Sequence, residues 1–374
     1  MKNGWQTRKL GDACRFIDYR GRTPDKTESG LRLITAKNVK MGFLQREPLE
    51  YVNPKTYEGW MTRGIPKKGD ILFTTEAPLA NVTQLDTDEK VVFAQRIIIL
   101  QPHDSALDRT FLKYLLLSDD AQERIRQNGT GATVQGIKAS LLKQIEISFP
   151  TPAEQQRIVG VLDEAFAGLA TAQANAEKNL QNARALFESH LQSVFTQRGK
   201  GWQSKSFEDC IEDVQYTTKV QRKDFLEEGK FPIVSQEAEF TNGYWNKAAD
   251  VFKVTRPVII FGDHTKILKF VDFDFVLGAD GVKILPPKQF LIPKFFFYQL
   301  RSAPLKALGY ARHYRLLKEL EISYPDSDEQ TAIVKKLDSL STETQRLESL
   351  YEQKLAALAA LKKSLLHQAF SGEL

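Results

Sequence analysis

Two long stretches of the chain carry apolar residues at helical spacing, and they are copies of each other. Residues 147–166 read ISFPTPAEQQRIVGVLDEAF and residues 322–341 read ISYPDSDEQTAIVKKLDSLS, at an ungapped offset of 175 residues. The repeat predicts one long helix that the chain uses twice. The paired residues include Gln155 and Gln330, Asp163 and Asp338, and Phe195 and Phe370.

Capping residues predict where both helices begin. Thr151 and Asp326 each follow a proline and stand three residues before a glutamate, which is typical of a helix N-cap. After Pro152, at the start of the first copy, neither copy contains an internal proline before about residues 197 and 372, so each helix can run roughly 45 residues, or about 67 Å at 1.5 Å per residue. That length exceeds an ordinary globular helix.

The apolar positions recur three and four residues apart, and such a stripe needs a partner. Each copy is the nearest candidate for the other. We therefore expect the two helices to form an antiparallel coiled coil with pseudo-twofold symmetry; the alternative is an amphipathic helix packed only on its own domain. The residues expected in this packing are Ile158, Leu162, Leu169, Leu337, Leu347 and Leu358.

A second repeat marks where the chain starts again. GWQTRKLGD at 4–12 is answered by GWQSKSFED at 201–209, so each half is a globular region followed by a long helix. Between these ends the halves share a rhythm of short strands but little sequence. The predicted fold is α+β, with domains at 1–150 and 199–325 and helices at 151–198 and 326–374.

Within the globular regions, short runs rich in Ile, Val and Phe predict strands, and two longer segments predict helices. The first predicted helix, DRTFLKYLLLSDDAQERIRQ, ends near Asn128. The second, IPKFFFYQLRSAPLKAL, ends at Gly309, and its three consecutive phenylalanines indicate core packing more than a binding surface.

Composition describes a chain of 374 residues that is 42% hydrophobic, with 26% charged residues and a net charge of +5. No run of about eighteen apolar residues occurs, and the first residues lack the apolar middle of a signal peptide, so a cytoplasmic location is expected. Cys14 and Cys210 are isolated, which predicts neither a disulfide framework nor a zinc site. The basic excess lies in the globular regions and favours a polyanionic partner for them.

Motifs for catalysis are missing. The sequence contains no phosphate-binding loop of the G-x-x-x-x-G-K-[ST] type, no histidine pair at metal-ligand spacing and no Asn-Pro-Pro-aromatic signature for methyl transfer to a base. We therefore expect this chain to have no catalytic residue, metal or cofactor of its own.

Polar loops that follow the predicted strands remain as candidate sites. Arginine suits guanine, and asparagine or glutamine suits adenine, each through two parallel hydrogen bonds. For any single loop a solvated turn is the alternative interpretation, and Asp263 could serve only to orient its neighbour His264. The candidate DNA-binding residues are Arg20, Arg22, Lys37, Asn38, Arg96 and Gln135 in the first half, and Gln236, Tyr244, His264, Lys266, Arg312 and Arg315 in the second.

The two P-x-x-x-E-Q-x-x-I-V-x-x-L-D segments, each after a variable α/β region, resemble the specificity subunits of type I restriction-modification systems. PAEQQRIVGVLD at 152–163 is similar to the family's usual motif, whereas DSDEQ at 326–330 lacks the proline that the first copy has at Pro152. YRGRTP, LITAKNV, FGDHT and GADGVKI are also similar to segments of that family's recognition domains.

The resemblance implies a non-catalytic subunit that recognises an asymmetric, two-part target in double-stranded DNA. It also implies a complex with two modification subunits, which bind S-adenosylmethionine and methylate adenine, and optionally with restriction subunits that use ATP and Mg. Repeated frames with different inserts favour the same interpretation independently, with half-sites about one DNA turn apart, roughly 10 base pairs. The alternative is a coiled-coil adaptor without a DNA-reading role.

Overall fold

The computed structural model describes residues 4–19, 23–131, 133–278, 281–306, 309 and 311–374. Packing divides the chain into two compact units. The first unit comprises Met1–Ala176 with Gln353–Leu374, and the second comprises Glu177–Glu352. Both boundaries fall within the long helices, so each unit contains part of both.

The first unit begins with short strands and small helices. Its strands are β1 Gln6–Lys9, β2 Cys14–Asp18, β3 Lys26–Thr27, β4 Leu31–Ile34, β5 Glu50–Val52, β6 Ile71–Thr74, β7 Val82–Gln84, β8 Val92–Phe93, β9 Ile97–Pro102 and β10 Glu146–Phe149. Its helices are α1 Leu10–Ala13, α2 Tyr57–Trp60, α3 Arg109–Leu117, α4 Asp119–Gln127, α5 Ala139–Gln144 and the start of α6 Pro152–Thr196, with a 3₁₀ turn at Pro54–Thr56.

These strands form two four-stranded sheets and one two-stranded ribbon. The order β2-β9-β6-β7 is antiparallel throughout, whereas β3-β5-β4-β8 contains one parallel pair, β4 with β8. The β1-β10 ribbon joins the start of the region to the strand that precedes α6. One face of β6 and β9 packs on α3, and the other packs on the second sheet around Phe93.

The second unit repeats this plan with different strands. They are β11 Gln203–Ser206, β12 Lys219–Val220, β13 Phe231–Val234, β14 Gly243–Trp245, β15 Val251–Phe252, β16 Val258–Gly262, β17 Leu268–Val271, β18 Phe275–Gly278, β19 Val282–Leu285 and β20 Glu321–Tyr324. Its helices are α7 Pro293–Ser302, α8 Tyr314–Lys318 and the start of α9 Ser327–Ser371, with 3₁₀ turns at Glu208–Cys210, Arg222–Asp224 and Ala248–Asp250.

The sheets of the second unit are a five-stranded mixed sheet, a three-stranded antiparallel sheet and a ribbon. The first has the order β12-β18-β13-β14 with β15 also on β18, the second is β17-β16-β19, and the ribbon is β11-β20. The ribbon has the same register as β1-β10: Gln203 faces Tyr324 as Gln6 faces Phe149. The predicted α+β class is confirmed.

Two of the predicted helices are shorter in the structure. The segment 108–127 is broken at Ser118, whose extended backbone ends α3 and whose hydroxyl accepts a bond from the Ala121 amide at 3.4 Å to cap α4. The aromatic helix α7 ends at Ser302, because the coming Pro304 disfavours helical geometry just before it. Phe295 and Phe296 are fully buried, as the core interpretation predicted.

The two long helices are confirmed, at 45 residues each. The Asp326 carboxylate accepts from the Glu329 amide at 2.9 Å, which is the predicted cap of α9. At the start of α6, Glu154 bonds Arg157 through both carboxylate oxygens, at 2.9 and 2.8 Å, so this glutamate forms an intrahelical ion pair.

Within each unit the helices run antiparallel. In the first, Arg157 donates to the main-chain oxygen of Leu374 at 2.7 Å, while Phe166, further along α6, contacts Lys362 at 5.3 Å. In the second, Arg184 pairs with Glu352 at 2.8 Å, while His190, further along α6, lines one groove with Glu343, earlier in α9. The predicted antiparallel pairing is therefore correct in both units.

The expected packing residues divide into two groups. Ile158, Leu162 and Leu337 are buried, and they join the cores of the globular regions. Leu169, Leu347 and Leu358 are only half-buried. The best-buried of the expected positions therefore lie where the helices dock on globular domains, and small residues such as Ala176 and Ala183 are buried further along α6.

The repeated glutamines explain why the helix sequence recurs. Gln330 accepts from the Ile292 amide at 2.8 Å and donates to the carbonyls of Phe290 and Pro325 at 2.9 and 3.0 Å. Gln155 makes the same three bonds in the first unit, to the Asp108 amide and two carbonyls, at 2.7 to 2.8 Å. Each glutamine is fully buried. Through these bonds, Gln155 joins the start of α6 to the loop before α3, and Gln330 joins the start of α9 to the loop before α7.

A tyrosine and an aromatic triad complete the same joint. Tyr298 donates to Asp338 at 2.5 Å, and Tyr114 donates to Asp163. Burial, and then the bonded carboxylate, raises the pKa of both tyrosines, so both remain neutral donors. The triads are Trp5, Phe111 and Phe370 in the first unit and Trp202, Phe295 and Phe195 in the second.

Candidate nucleic-acid interface

Three loops of the first unit meet at the end of β6. The Thr75 amide donates to the Arg96 carbonyl, and the Ile137 amide donates to the Thr75 carbonyl, both at 2.9 Å. Thr130 and Gly136 exchange two backbone bonds, at 2.7 and 2.9 Å, that close the third loop. These bonds fix the loops that follow β6, β8 and α4 against one another.

The second unit builds the same arrangement at the end of β16. The Asp263 amide donates to the Gly281 carbonyl, and the His313 amide donates to the Asp263 carbonyl, both at 2.7 Å. We call each set a three-loop cluster. The corresponding residues are Thr75 and Asp263, Arg96 and Gly281, and Ile137 and His313.

The three-loop cluster of the first unit encloses a cleft of about 320 Å³. Its lining is mostly polar and offers both hydrogen-bond donors and acceptors. Such a lining can contact a base edge or a phosphate, because side chains of both kinds are within one concave surface. The lining residues are Thr75, Glu76, Gln95, Arg96, Thr130, Val134, Gly136, Ile137 and Lys138.

Arg96 has left-handed backbone geometry in this cleft, with φ +78°. Gly281, its counterpart, has φ +88°, so both turns require a positive φ at this position. Glycine adopts a positive φ without steric strain, whereas arginine does not. Arg96 pairs with Glu76 at 3.0 Å between Nε and Oε1, and both side chains stay 45% exposed. A strained arginine kept accessible in a cleft points to a function for its side chain.

Asp263 organises the second three-loop cluster. It is 4% exposed, and its carboxylate accepts from the Tyr314 amide at 2.7 Å. Its carbonyl also lies 3.0 Å from Nδ1 of the buried His313. The interpretation that Asp263 only orients His264 is thus corrected: it holds the start of α8, with Arg312 just before this helix and Arg315 within it.

Gln236 and His264 belong to the same cluster. The His264 amide donates to Gln236 Oε1 at 3.2 Å, and the Thr265 hydroxyl donates to the Gln236 carbonyl at 2.6 Å. A Cβ on Gly281 would lie 2.6 Å from that Oε1, so glycine is needed there for close approach as well as for its φ. The loop after β13, which carries Gln236, thereby packs against the loops that carry His264 and Gly281.

The structure gives the other candidates varied positions. Arg312 and Arg315 are exposed, Lys266 is half-buried in the β16-β17 turn with φ +61°, and Tyr244 is half-buried on β14. In the first unit, Gln135 is exposed and donates to the Arg126 carbonyl at 3.3 Å. Lys37 is exposed in the turn after β4. Arg20 and Arg22 lie outside the described residues.

Asn38 requires a correction. Its side chain is fully buried; Oδ1 accepts from the amide and hydroxyl of Thr35, and Nδ2 lies within 3.3 Å of the carbonyls of Gln45, Arg46 and Pro48. An amide whose donors and acceptor all bind the chain cannot read adenine. Asn38 instead fixes the turn that exposes Lys37.

Several residues of these clusters escaped sequence reasoning. Thr75 and Glu76 directly follow the apolar run ILFT, as Asp263 and His264 follow VIIFG, so aligning strand ends offers a signal. Outside the clusters, sequence reasoning also missed Lys269: it is 4% exposed, and Nζ contacts the Glu239 carbonyl at 2.5 Å and Asn242 Oδ1 at 3.2 Å. Burial lowers its pKa to about 8.

The described part of the chain offers little support for metal binding, thiol chemistry or a membrane-spanning helix. It contains no group of three or more His, Cys, Asp or Glu that could hold a metal ion. Burial raises the pKa of Cys14 to about 12 and that of Cys210 to about 11, so both thiols are protonated at neutral pH. None of the described helices is long and apolar enough to cross a membrane.

The architecture of two variable α+β domains with paired long helices matches a known protein class. The family model described as "Type I restriction modification DNA specificity domain" matches residues 2–180 and 199–356. The chain therefore belongs to this family. Recognition of a DNA target, without catalysis, is the role that the family gives it.

Individual relatives agree with this assignment. The chain is 24% identical over 343 residues to the type I restriction enzyme MjaIX specificity subunit of Methanocaldococcus jannaschii, covering 82% of this chain and 78% of that protein. It is 28% identical over 142 residues to the EcoR124I/EcoR124II specificity subunit of Escherichia coli, covering 34% and 35%.

Solved structures share the fold. A chain from a structural study of complex assembly and conformational transition in the type I R-M system has a TM-score of 0.79 at 17% identity, covering 100% of this chain and 99% of that one. The HsdS subunit of Thermoanaerobacter tengcongensis has a TM-score of 0.61 at 17% identity, covering 100% and 98%.

Proposed function

We propose that the two units read the two halves of an asymmetric DNA target, each through its own three-loop cluster. The observation that carries this proposal is that both clusters have the same backbone bonds but different side chains. Where the first has Thr75 and Arg96, the second has Asp263 and Gly281. A constant frame with exchanged contact residues is what two readers of different sequences need.

The position of each candidate DNA-binding residue indicates whether it contacts a base or a phosphate. Residues inside the clusters, such as Arg96 and Gln236, are held by neighbours and can discriminate between bases. Exposed cations, such as Lys37 and Arg312, suit the phosphate backbone, which sets register and affinity. Substitution of the first kind changes the preferred sequence, and substitution of the second weakens binding to all sequences alike.

The duplication supports a proposal about the partners. Each unit contains the same helix joint, and two equal joints suit two copies of one partner. The proposed complex holds two methyltransferase subunits, which bind S-adenosylmethionine and methylate adenine, and optionally two restriction subunits with ATP and Mg. This chain supplies recognition to the complex, in the cytoplasm, and no cofactor.

Exchange of one recognition region tests the proposal. Residues 210–314 are replaced by those of a relative with another specificity, the complex is reconstituted with its methyltransferase, and modified adenines are mapped across a genome. One half of the target should change while the other half and the spacing persist. A change in both halves, or in neither, would contradict the assignment of one half-site to each unit.

A further inference from the structure

The opposite charges of Glu76 and Arg96 indicate which base pair this cleft fits, beyond the proposed role in reading a half-site. Their ion pair places a cation and an anion side by side in the cleft, 3.0 Å apart, and Lys138 is a further cation of the lining. A site built to grip phosphate gains from net positive charge, and a carboxylate beside the arginine opposes that. The pair therefore suits a neutral surface that presents acceptors next to a donor.

The major-groove edge of a G·C pair is such a surface. Guanine presents the N7 and O6 acceptors, and the paired cytosine presents its N4 amino donor beside them. Because the Glu76 carboxylate lies 3.0 Å from Arg96 Nε, the two terminal nitrogens remain for N7 and O6, and the described residues offer these nitrogens no other partner. The Glu76 carboxylate then lies next to the arginine, where it can accept from N4.

Backbone geometry holds both side chains at this spacing. The Arg96 carbonyl is bonded to the Thr75 amide, one residue before Glu76. Gly136 packs on the other side: a Cβ there would lie 3.2 Å from Glu76 Cβ and 3.3 Å from the Thr75 carbonyl. Glu76 is thus confined between the Gly136 loop and the arginine.

We infer that Arg96 and Glu76 together read one G·C pair in the half-site of the first unit, with Arg96 on guanine and Glu76 on cytosine. This rests on the proposed function of the units as half-site readers. It makes Glu76 a specificity residue and assigns the first half-site at least one G·C position that the second cluster, with Gly281 in place of the arginine, does not read in this way.

The test uses the full chain in complex with its methyltransferase and selection from a randomised DNA duplex. Arg96→Gly is the matched variant, because glycine adopts the turn without strain, as at Gly281, and an unchanged melting temperature verifies its fold. Preference for G·C at one position of one half-site should fall about 5- to 150-fold. Glu76→Gln should weaken the same preference while raising affinity for unrelated DNA.

Arg124→Ala is the control, because this arginine lies on α4 and pairs with Asp120 at 2.6 Å outside the cleft; it should leave the selected sequence unchanged. If Arg96→Gly weakens all sequences equally, the arginine binds phosphate and the inference is wrong. A wild-type half-site without any G·C pair also overturns it. A wild-type complex that selects no sequence overturns the proposed function itself, and the inference with it.

Discussion

Replacing the buried glutamine of one helix joint should destabilise one unit and spare the other. Gln330→Leu keeps the volume but removes three hydrogen bonds, of 2.8, 2.9 and 3.0 Å, at a site with no exposed area. It strands the Ile292 amide, which costs about 1–3 kcal/mol, and deprives two carbonyls of a donor. The expected loss of stability is about 3–5 kcal/mol.

Hydrogen exchange read by mass spectrometry separates the units in this experiment. Gln330→Leu should accelerate exchange around α7 and the start of α9, whereas Gln155→Leu, with the same three bonds in the first unit, should do so around α3 and the start of α6. Gln345→Leu, an exposed position of the same helix, is the control and should change stability by less than about 0.5 kcal/mol.

The reasoning is refuted by a small or misplaced effect. If Gln330→Leu costs less than about 1 kcal/mol, the buried bonds contribute nothing beyond the side chain's volume. If both glutamine variants accelerate exchange in the same segments, the joints do not belong to separate units as the packing indicates.

Further predictions concern charge, helix packing and cofactors. Burial lowers the pKa of Lys269 to about 8 from its usual 10.5, so between these pH values the unfolded chain binds more protons than the folded chain. The free energy of unfolding should therefore rise with pH across that window. Measured by urea titration, the rise should be about 1–3 kcal/mol larger in wild type than in Lys269→Met. Leu347→Asp and Leu358→Asp, at half-buried positions, should each cost about 1–2 kcal/mol in denaturant unfolding, whereas Leu337→Asp, fully buried, should unfold the second unit. The pure chain should bind no S-adenosylmethionine in calorimetry; detectable binding would contradict its non-catalytic role.

Local patterns predicted the helices well, because their determinants lie within a few residues. A cap, a glutamate and an apolar stripe are sufficient to start α9 at Ser327. The break at Ser118 was missed because the apolar pattern continues across it, while the hydroxyl and an extended backbone end one helix and start another. The spacing of apolar residues predicts which positions are buried, but it does not predict a capping residue such as Ser118.

The clusters could be predicted only in part. Single loops were found by their polar residues, but the correspondence of Arg96 with Gly281 depends on backbone bonds between segments distant in sequence. The hairpin loops also differ in length, since Thr74 bonds Asn81 whereas Gly262 bonds Ile267, and this hides the alignment. Asn38 shows the converse: its residue type suits a base, yet burial decides its role.

Asp263 permits a sharper test of how the second cluster works. Its carboxylate bonds the first amide of α8, so Asp263→Ala leaves the Tyr314 amide unsatisfied and releases the start of α8, which positions Arg312 and Arg315. The expected cost is about 1–3 kcal/mol of stability, because the lost bond has a charged acceptor. In DNA selection the second half-site should lose its preference while the first keeps it.

Asp263→Asn separates positioning from charge. It retains an oxygen that can accept from the Tyr314 amide, so it should keep most of the selected sequence and most of the protection of residues 311–318 against hydrogen exchange. Asp263 as a whole is 4% exposed, which leaves it little access to DNA. If the asparagine and alanine variants lose specificity equally, with exchange unchanged in both, Asp263 acts on DNA through its charge and the positioning role is wrong.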